Sequence, residues 1–298
     1  MKWFFLIALL LFVGACVPSQ DTPYIPSGIR ETKSSSLFDV SLFVNPDPGK
    51  RNVTLEDGLR VGFYLVNRDK NPVEGFISLE DTPNEQDFGG ISGKASESFL
   101  IEGVDENKKQ KTAILFPGNQ PIFYDSENGG LKSTSFIGEV RYVRDITLTS
   151  NDFWIRDILQ EKPLDCKNNC NTKNGLTSNS PFISVMQEEI FDFDGDFQVD
   201  SMQVEFSVQE GDCDLISSEK VSSFEPLEEK ESILIELSLQ ESGNSFICKE
   251  KENKDKKRKT IICVIDNSLI GGDYADRIIG NIQYGCKLIL KSGEIKFG

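Results

Sequence analysis

Apolar and polar side chains alternate along several short stretches of this chain. The clearest stretch is 202–209, where every second residue from Met202 to Val208 is apolar and the residues between are polar. Successive side chains of a β-strand point to opposite faces of its sheet, so this alternation predicts a strand with one buried face. The same pattern occurs at 38–44 and 233–239, and strong turn formers such as 45–49 separate the stretches. The pattern predicts an all-β protein of the sandwich type.

The predicted strands fall into two blocks with a break between them. We expect a β-sandwich domain at 37–148 and a second one at 181–298. Residues 149–180 interrupt the alternation, and the four-residue spacing of Trp154 and Ile158 predicts a short connecting helix. A polar, Cys-containing linker completes that segment.

Residues 53–79 carry a further signal within the first block. A strand that ends in Val66-Asn67 is followed by a polar turn and a strand that carries Val73-Glu74-Gly75-Phe76. This arrangement resembles the early strands of immunoglobulin-like adhesion modules in bacterial and archaeal surface proteins. The resemblance implies that the sandwiches are immunoglobulin-like.

The N-terminus predicts export. Lys2 precedes an apolar and small-residue stretch from Trp3 to Ala15, which is shorter than the about 20 residues of a membrane-spanning helix. Residues 1–15 therefore fit a signal peptide. The motif Val13-Gly14-Ala15-Cys16 resembles the lipobox of prokaryotic lipoproteins. The resemblance implies that Cys16 is lipidated, becomes the first mature residue and anchors the chain to the outer face of the cell membrane.

Other interpretations of this N-terminus remain open. The first is an ordinary cleaved signal peptide in which Cys16 is incidental, and the second is an uncleaved anchor. Residues 16–36 contain three prolines and a run of serines. This composition predicts a flexible tether between the lipid and the folded domains.

The cysteines other than Cys16 predict disulfides. There are six of them, all in the C-terminal half, and an even number in an exported chain is typical of disulfide bonding. The candidates are Cys166, Cys170, Cys213, Cys248, Cys263 and Cys286. Spacing favours a tight Cys166–Cys170 loop and a Cys248–Cys263 pair across a hairpin, which leaves Cys213 and Cys286 to pair. The chain has no His, which disfavours the alternative of a zinc site.

The net charge of −16 disfavours nucleic acid and anionic headgroups as partners. Solubility is the simpler explanation of the acidity, and cation binding is the alternative. A calcium candidate combines Asp192, Asp194, Asp196 and Asp200. A hairpin turn at Asp194-Gly195 explains the same residues more simply. No other cofactor is indicated. Asn52 is a candidate for glycosylation because it begins an Asn-x-Thr triplet.

The sequence offers no strong catalytic constellation. Without His, the commonest general base and the Ser-His and Cys-His nucleophile pairs are absent. A hydrolase based on paired carboxylates remains an alternative. We therefore expect a non-enzymatic, membrane-anchored surface lipoprotein that binds a protein or glycan at the cell envelope. The second expectation is a structural subunit of an envelope assembly, such as a surface layer, pilus or secretion complex, joined by strand addition at sheet edges.

Overall fold

The computed structural model of this chain is all-β. It describes residues 28–35, 37–50, 52–82, 89–91, 94–104, 110–116, 120–125, 131–149, 153–155, 177–178, 183–191, 201–222, 233–251, 255–266 and 274–298. The strands are β1 (Ile29–Ser34), β2 (Phe38–Asn45), β3 (Arg60–Asn67), β4 (Val73–Thr82), β5 (Ala95–Ile101), β6 (Gln110–Phe116), β7 (Ser133–Thr149), β8 (Phe153–Ile155), β9 (Thr177–Ser178), β10 (Ile183–Phe191), β11 (Ser201–Gln209), β12 (Asp214–Ile216), β13 (Leu234–Leu239), β14 (Ile247–Lys251), β15 (Arg258–Asp266), β16 (Tyr274–Asp276), β17 (Ile278–Lys291) and β18 (Ile295–Lys296). Short 3-10 turns lie at Leu55–Asp57 and Ser218–Lys220.

The strands form antiparallel sheets. The largest has eight strands and runs β12-β17-β7-β4-β5, with β13 on β17 and with β9 and β18 on β7. Two four-stranded sheets have the orders β1-β2-β3-β6 and β10-β11-β15-β14, and β8 pairs with β16. The sheet that contains β3 packs face to face on the largest sheet: a Cβ added to Gly138 of β7 would lie 2.6 Å from the ring of Phe63 in β3.

The predicted alternation is present in the core. Val204, Phe206 and Val208 are at most 2% exposed, as expected for the inward face of a half-buried strand. A single cluster of buried apolar residues extends from Phe38 in β2 to Ile295 in β18. One hydrophobic core therefore includes strands from both halves of the chain.

Two immunoglobulin-like sandwiches are not confirmed. β7, from the predicted first domain, pairs with β17, from the predicted second domain, between Ile279–Thr149 and Lys291–Ile137. This long ladder places strands of both halves in one sheet. Its partners are more than 100 residues apart in sequence, and alternation within a strand carries no information about which distant strand lies beside it.

The predicted connecting helix is wrong at the residues that the structure describes. Phe153–Ile155 forms β8, in which Trp154 lies opposite Ala275 of β16. Aromatic and β-branched residues favour strands. A single pair of residues at helical spacing is little evidence for a helix, and here β16 is available as a partner strand. The described part of the chain contains no α-helix, and Ile158 lies outside it.

The first described strand lies within the segment predicted to be a tether. Residues Ile29–Ser34 form β1, which pairs with β2 from Ile29–Phe43 to Ser34–Asp39. The strand is mostly polar and lies at a sheet edge, where an apolar alternation is not required. None of the described residues forms a helix long and apolar enough to cross a membrane.

Two pairs of cysteines lie at disulfide distance. Cys248 and Cys263 face each other across β14 and β15, and Cys213, just before β12, joins Cys286 in β17. Both pairs are consistent with the spacing argument. Disulfides are typical of an oxidising, extracellular environment. Cys166 and Cys170 lie outside the described residues.

Candidate functional site

A buried carboxylate lies where β7, β11 and β17 meet. Glu210 follows β11 directly, and its side chain is 0% exposed. Its Oε1 accepts hydrogen bonds from the Tyr142 hydroxyl at 2.9 Å and from Arg144 Nε at 3.1 Å, and its Oε2 accepts one from the Tyr284 hydroxyl at 2.7 Å. An ionised carboxylate is tolerated in a core only when it is paired and hydrogen-bonded in this way.

Arg144 extends this network to the edge of the core. Its guanidinium lies 5.1 Å from the centre of the Tyr142 ring, within cation–π range. Its Nη1 donates to Asp69 Oδ2 at 3.2 Å. Asp69 belongs to the turn between β3 and β4, where its backbone N–H donates to Asn67 Oδ1 at 2.9 Å. The network therefore fixes the position of this turn relative to β7.

The same network shifts the ionisation of its members. Burial, and then the adjacent Glu210 carboxylate, raise the pKa of Tyr142 and Tyr284 well above the ordinary value. For Arg144, burial acts to lower the pKa, but Glu210 and the other acidic neighbours outweigh it, so the pKa is raised. The phenols therefore remain neutral hydrogen-bond donors, and Arg144 remains a cation.

A half-open groove of about 760 Å³ lies beside Arg144 and Asp69. Its lining residues are Leu37, Asp69, Asn71, Pro72, Glu74, Leu100, Val143, Arg144, Asp145, Ile146, Thr147, Asn281 and Gln283. The alternation of β7 explains this mixture: Arg144 and Ile146 are buried, whereas Asp145 and Thr147 are exposed. The volume is within the range of ligand-binding clefts.

A smaller hollow of about 470 Å³ adjoins the groove and shares Glu74, Leu100 and Val143 with it. The 3-10 turn at Ser218–Lys220 borders this hollow. Its end is held against the sheet because Arg141 Nη1 donates to the carbonyl oxygen of Lys220 at 3.0 Å. The two hollows together form a continuous surface around Leu100, which is 61% exposed.

A second buried carboxylate has a structural role. Asp81 Oδ2 accepts hydrogen bonds from the Tyr124 hydroxyl at 2.8 Å and from the backbone N–H of Ile91 at 3.0 Å. Thr134 Oγ1 in turn donates to the Tyr124 oxygen at 3.2 Å. These residues do not line the groove, and their bonds join segments 89–91 and 120–125 to the sheet.

Most of the sites predicted from sequence lie outside the described residues. This is true of Cys16, Cys166 and Cys170 and of the calcium candidates Asp192, Asp194, Asp196 and Asp200. In the described part of the chain, no group of three or more His, Cys, Asp or Glu side chains is arranged to hold a metal ion. Asn52 is exposed on the surface, and its glycosylation stays a prediction.

The Glu210 network and the groove were not among the sites predicted from sequence. One local signal was present, since the inward alternation of Val204, Phe206 and Val208 continues to Glu210. A charged residue at an inward position indicates a buried ion pair. The identity of its partners depends on long-range strand pairing, which no local pattern reveals.

Replacing Glu210 with Gln should destabilise the protein strongly. The amide keeps the shape but removes the charge that compensates Arg144, and breaking a buried ion pair costs about 3 to 5 kcal/mol. We expect the free energy of unfolding in urea to fall by about that amount. The matched change Glu294→Gln, at a site whose side chain is 60% exposed, should change it by less than about 0.5 kcal/mol. Equal effects of the two substitutions would contradict the network's role.

Stability should also fall at alkaline pH. Because folding raises the pKa of Tyr142 and Tyr284, the folded state retains these protons after the unfolded chain has lost them above about pH 10. The contribution of these raised pKa values to the free energy of unfolding is therefore fully present below that pH. Above it, each of these phenols should lower the free energy of unfolding by about 1.4 kcal/mol per pH unit.

The substitution Tyr284→Phe tests this pH dependence. Urea unfolding between about pH 8 and pH 11 should give a shallower alkaline slope for Tyr284→Phe than for the wild type, since one titrating group is gone. The double substitution Tyr142→Phe with Tyr284→Phe removes both titrating groups and should make the slope shallower still. Identical slopes for all three proteins would show that these phenols do not cause the loss of stability at alkaline pH.

Comparison with known proteins assigns no family to this chain. No family model matches the sequence, and no curated protein matches it. The function must therefore be inferred from the chain's own residues and their geometry.

Proposed function

We propose that this chain is an exported, non-enzymatic lipoprotein, anchored through Cys16 to the outer face of the cell membrane, that binds a protein or glycan of the cell envelope. The single observation that carries the binding role is the half-open groove beside Arg144 and Asp69. The groove is polar at its rim and apolar in part of its lining, as binding clefts commonly are.

The rigidity of the groove supports a binding role. Arg144 and Asp69 are held by the Glu210 network, and Asn67 Nδ2 donates to the carbonyl oxygens of Asn71 at 2.9 Å and Glu102 at 3.1 Å. A site whose lining is already ordered loses little conformational entropy when a ligand binds. The turn between β3 and β4 is therefore a preorganised wall.

The proposed location combines two independent lines of support. The first is the signal-peptide pattern that ends at Val13-Gly14-Ala15-Cys16. The second is the presence of two cysteine pairs at disulfide distance, which is typical of exported proteins. With lipidation at Cys16, both observations are those expected of a surface lipoprotein.

A binding role also suits the chemistry of the groove better than catalysis. Asp69 is engaged by Arg144, and the chain has no His to serve as a general base. The exposed groups of the groove are amides, carboxylates and a hydroxyl, which recognise a ligand without further activation. We therefore assign no reaction to it.

Changing Cys16 to Ala should release the protein from the membrane. In a bacterial host that processes lipoproteins, the wild-type chain should be extracted from membranes with a mass that starts at Cys16 and includes added lipid. The Cys16→Ala protein should lack that mass, because it has no thiol to acylate. The matched change Ser19→Ala should behave as the wild type does. Membrane retention of Cys16→Ala at the wild-type level would overturn the proposed anchor.

A structural role in an envelope assembly is a second candidate, favoured by the edge strand β5. Among the described strands β5 pairs only with β4, and it exposes Ser96, Glu97 and Leu100. It has no Pro or Lys, which are common protections of sheet edges.

Light scattering distinguishes the assembly from the binding protein. The proposed binding protein should keep a constant molar mass as its concentration rises. A mass that increases with concentration and returns to the monomer value in Ser96→Lys would favour the assembly, because an added charge at an edge opposes strand addition.

A further inference from the structure

We propose that the groove beside Arg144 binds an extended polypeptide segment that carries Lys or Arg side chains. This inference rests on the proposed function and deepens it, because it names the class of partner for the same groove. It follows from the charge of the lining, from its hydrogen-bonding groups and from the apolar surface around Leu100.

The charge of the lining favours a cationic partner. The groove is lined by the carboxylates of Asp69, Glu74 and Asp145 and by one cation, Arg144. Arg144 is only 5% exposed, and its guanidinium is directed to Glu210 and Asp69. The charges that remain at the surface are therefore those of Glu74 and Asp145.

Glu74 and Asp145 are available to a ligand. Both are exposed, and neither forms an ion pair with another described residue. They lie on the outward faces of β4 and β7, on the same side of the sheet, because Gly75 is opposite Tyr142 in the ladder. The whole chain, at −16, would further attract a basic segment and accelerate its association.

The hydrogen-bonding groups of the groove suit a polypeptide backbone. Asn71, Asn281 and Gln283 line it, and a side-chain amide carries both donors and an acceptor. The Oε1 of Gln283 already accepts a hydrogen bond from Ser218 Oγ at 3.1 Å, which leaves its amide N–H groups as donors. A backbone also presents alternating donors and acceptors. In the sheet, Gln283 lies opposite Asp145 and Asn281 lies opposite Thr147, so polar groups recur along the direction of the strands.

The apolar part of the surface suits the side chains that alternate with the basic ones. Leu100, 61% exposed, lies where the groove meets the smaller hollow. In an extended segment successive side chains point to opposite sides. An apolar side chain, or the methylene stem of a Lys, can therefore contact Leu100 and Val143 while a charged end reaches Glu74 or Asp145.

The other classes of ligand fit less well. Anionic partners would meet the carboxylates. Among the described residues, no exposed aromatic ring lines either hollow: the larger groove has none, and Phe76 and Phe99 in the smaller one are half-buried and buried. Sugar rings bury their apolar faces on such rings, so a neutral glycan would lack its usual platform. A glycan is therefore the alternative outcome of the test rather than the proposal.

The test measures binding of a labelled peptide to the mature, disulfide-bonded protein by fluorescence anisotropy. The probe is a seven-residue peptide in which Lys alternates with Leu, and two competitors are used: the same peptide with Glu in place of Lys, and a neutral hexasaccharide. The groove variant is Glu74→Gln with Asp145→Asn. The control is Glu56→Gln with Glu294→Gln, which removes the same charge at exposed sites that do not line the groove.

We expect the Lys peptide to bind, and the groove variant to bind it about tenfold more weakly, because two exposed ion pairs are lost and each contributes about threefold to the affinity. The control variant should bind within about twofold of the wild type. Leu100→Ala should weaken binding several-fold without changing its salt dependence. All variants should unfold at the wild-type urea concentration, because none of these side chains is buried.

Three results would overturn the proposal. The first is an equal loss in the groove and control variants, because it would mean a non-specific attraction to the acidic surface. The second is no binding of the Lys peptide by the folded protein. The third is binding of the hexasaccharide that is lost in Asn281→Ala, which would replace the cationic segment by a glycan and leave the proposed function intact. Release of the Cys16→Ala protein from the membrane tests the lipid anchor independently of these three results.

Discussion

The burial of the Glu210 carboxylate is the constraint on which the surrounding structure depends. Removing a carboxylate from water costs several kcal/mol unless hydrogen bonds and an opposite charge replace the solvent. Here Tyr142, Tyr284 and Arg144 supply them, from two neighbouring strands of the largest sheet. The segment after β11 is therefore held in the position relative to β7 and β17 in which the Glu210 carboxylate accepts all three hydrogen bonds.

The outer surface follows from this inner arrangement. Side chains along β7 alternate, so the inward direction of Arg144 makes Asp145 and Thr147 point outward. A shift of one residue in the register would place Arg144 in the solvent and Asp145 in the core. The buried ion pair thus fixes the register that gives the groove its acidic rim. A site built on strands that are fixed in this way is held more precisely than one built on a loop.

Local patterns predicted the local features of the fold. The alternation from Met202 to Val208 gave a strand with the correct buried face, and the Cys248–Cys263 pair followed from symmetry about a hairpin turn. Both involve residues close in sequence. The ladder between β7 and β17 joins residues that are far apart, and no local pattern indicates it.

The site was harder to predict than the strands for a related reason. Arg144 interrupts the apolar alternation of β7 with a charge, although Ile146 and Leu148 continue the inward alternation and are at most 4% exposed. A charged residue at an inward position of an apolar alternation normally indicates that the strand has ended, because an isolated charge is rarely buried. Only the partner, Glu210, which lies 66 residues away in sequence, makes burial of Arg144 favourable.

In the proposed surface lipoprotein, the lipid anchor would hold the folded part near the membrane, whereas its negative charge would repel anionic headgroups. Twelve residues separate Cys16 from Ile29, the first residue of β1, and a chain of that length spans at most about 40 Å. Anionic headgroups repel a chain of charge −16, but at physiological salt this repulsion decays within about 8 Å. Lipidation at Cys16 would then keep the groove close to the membrane, while the acidic surface keeps it from lying flat on the headgroups. A basic segment near the membrane would itself be attracted to those headgroups, so the acidic groove would compete with them for it.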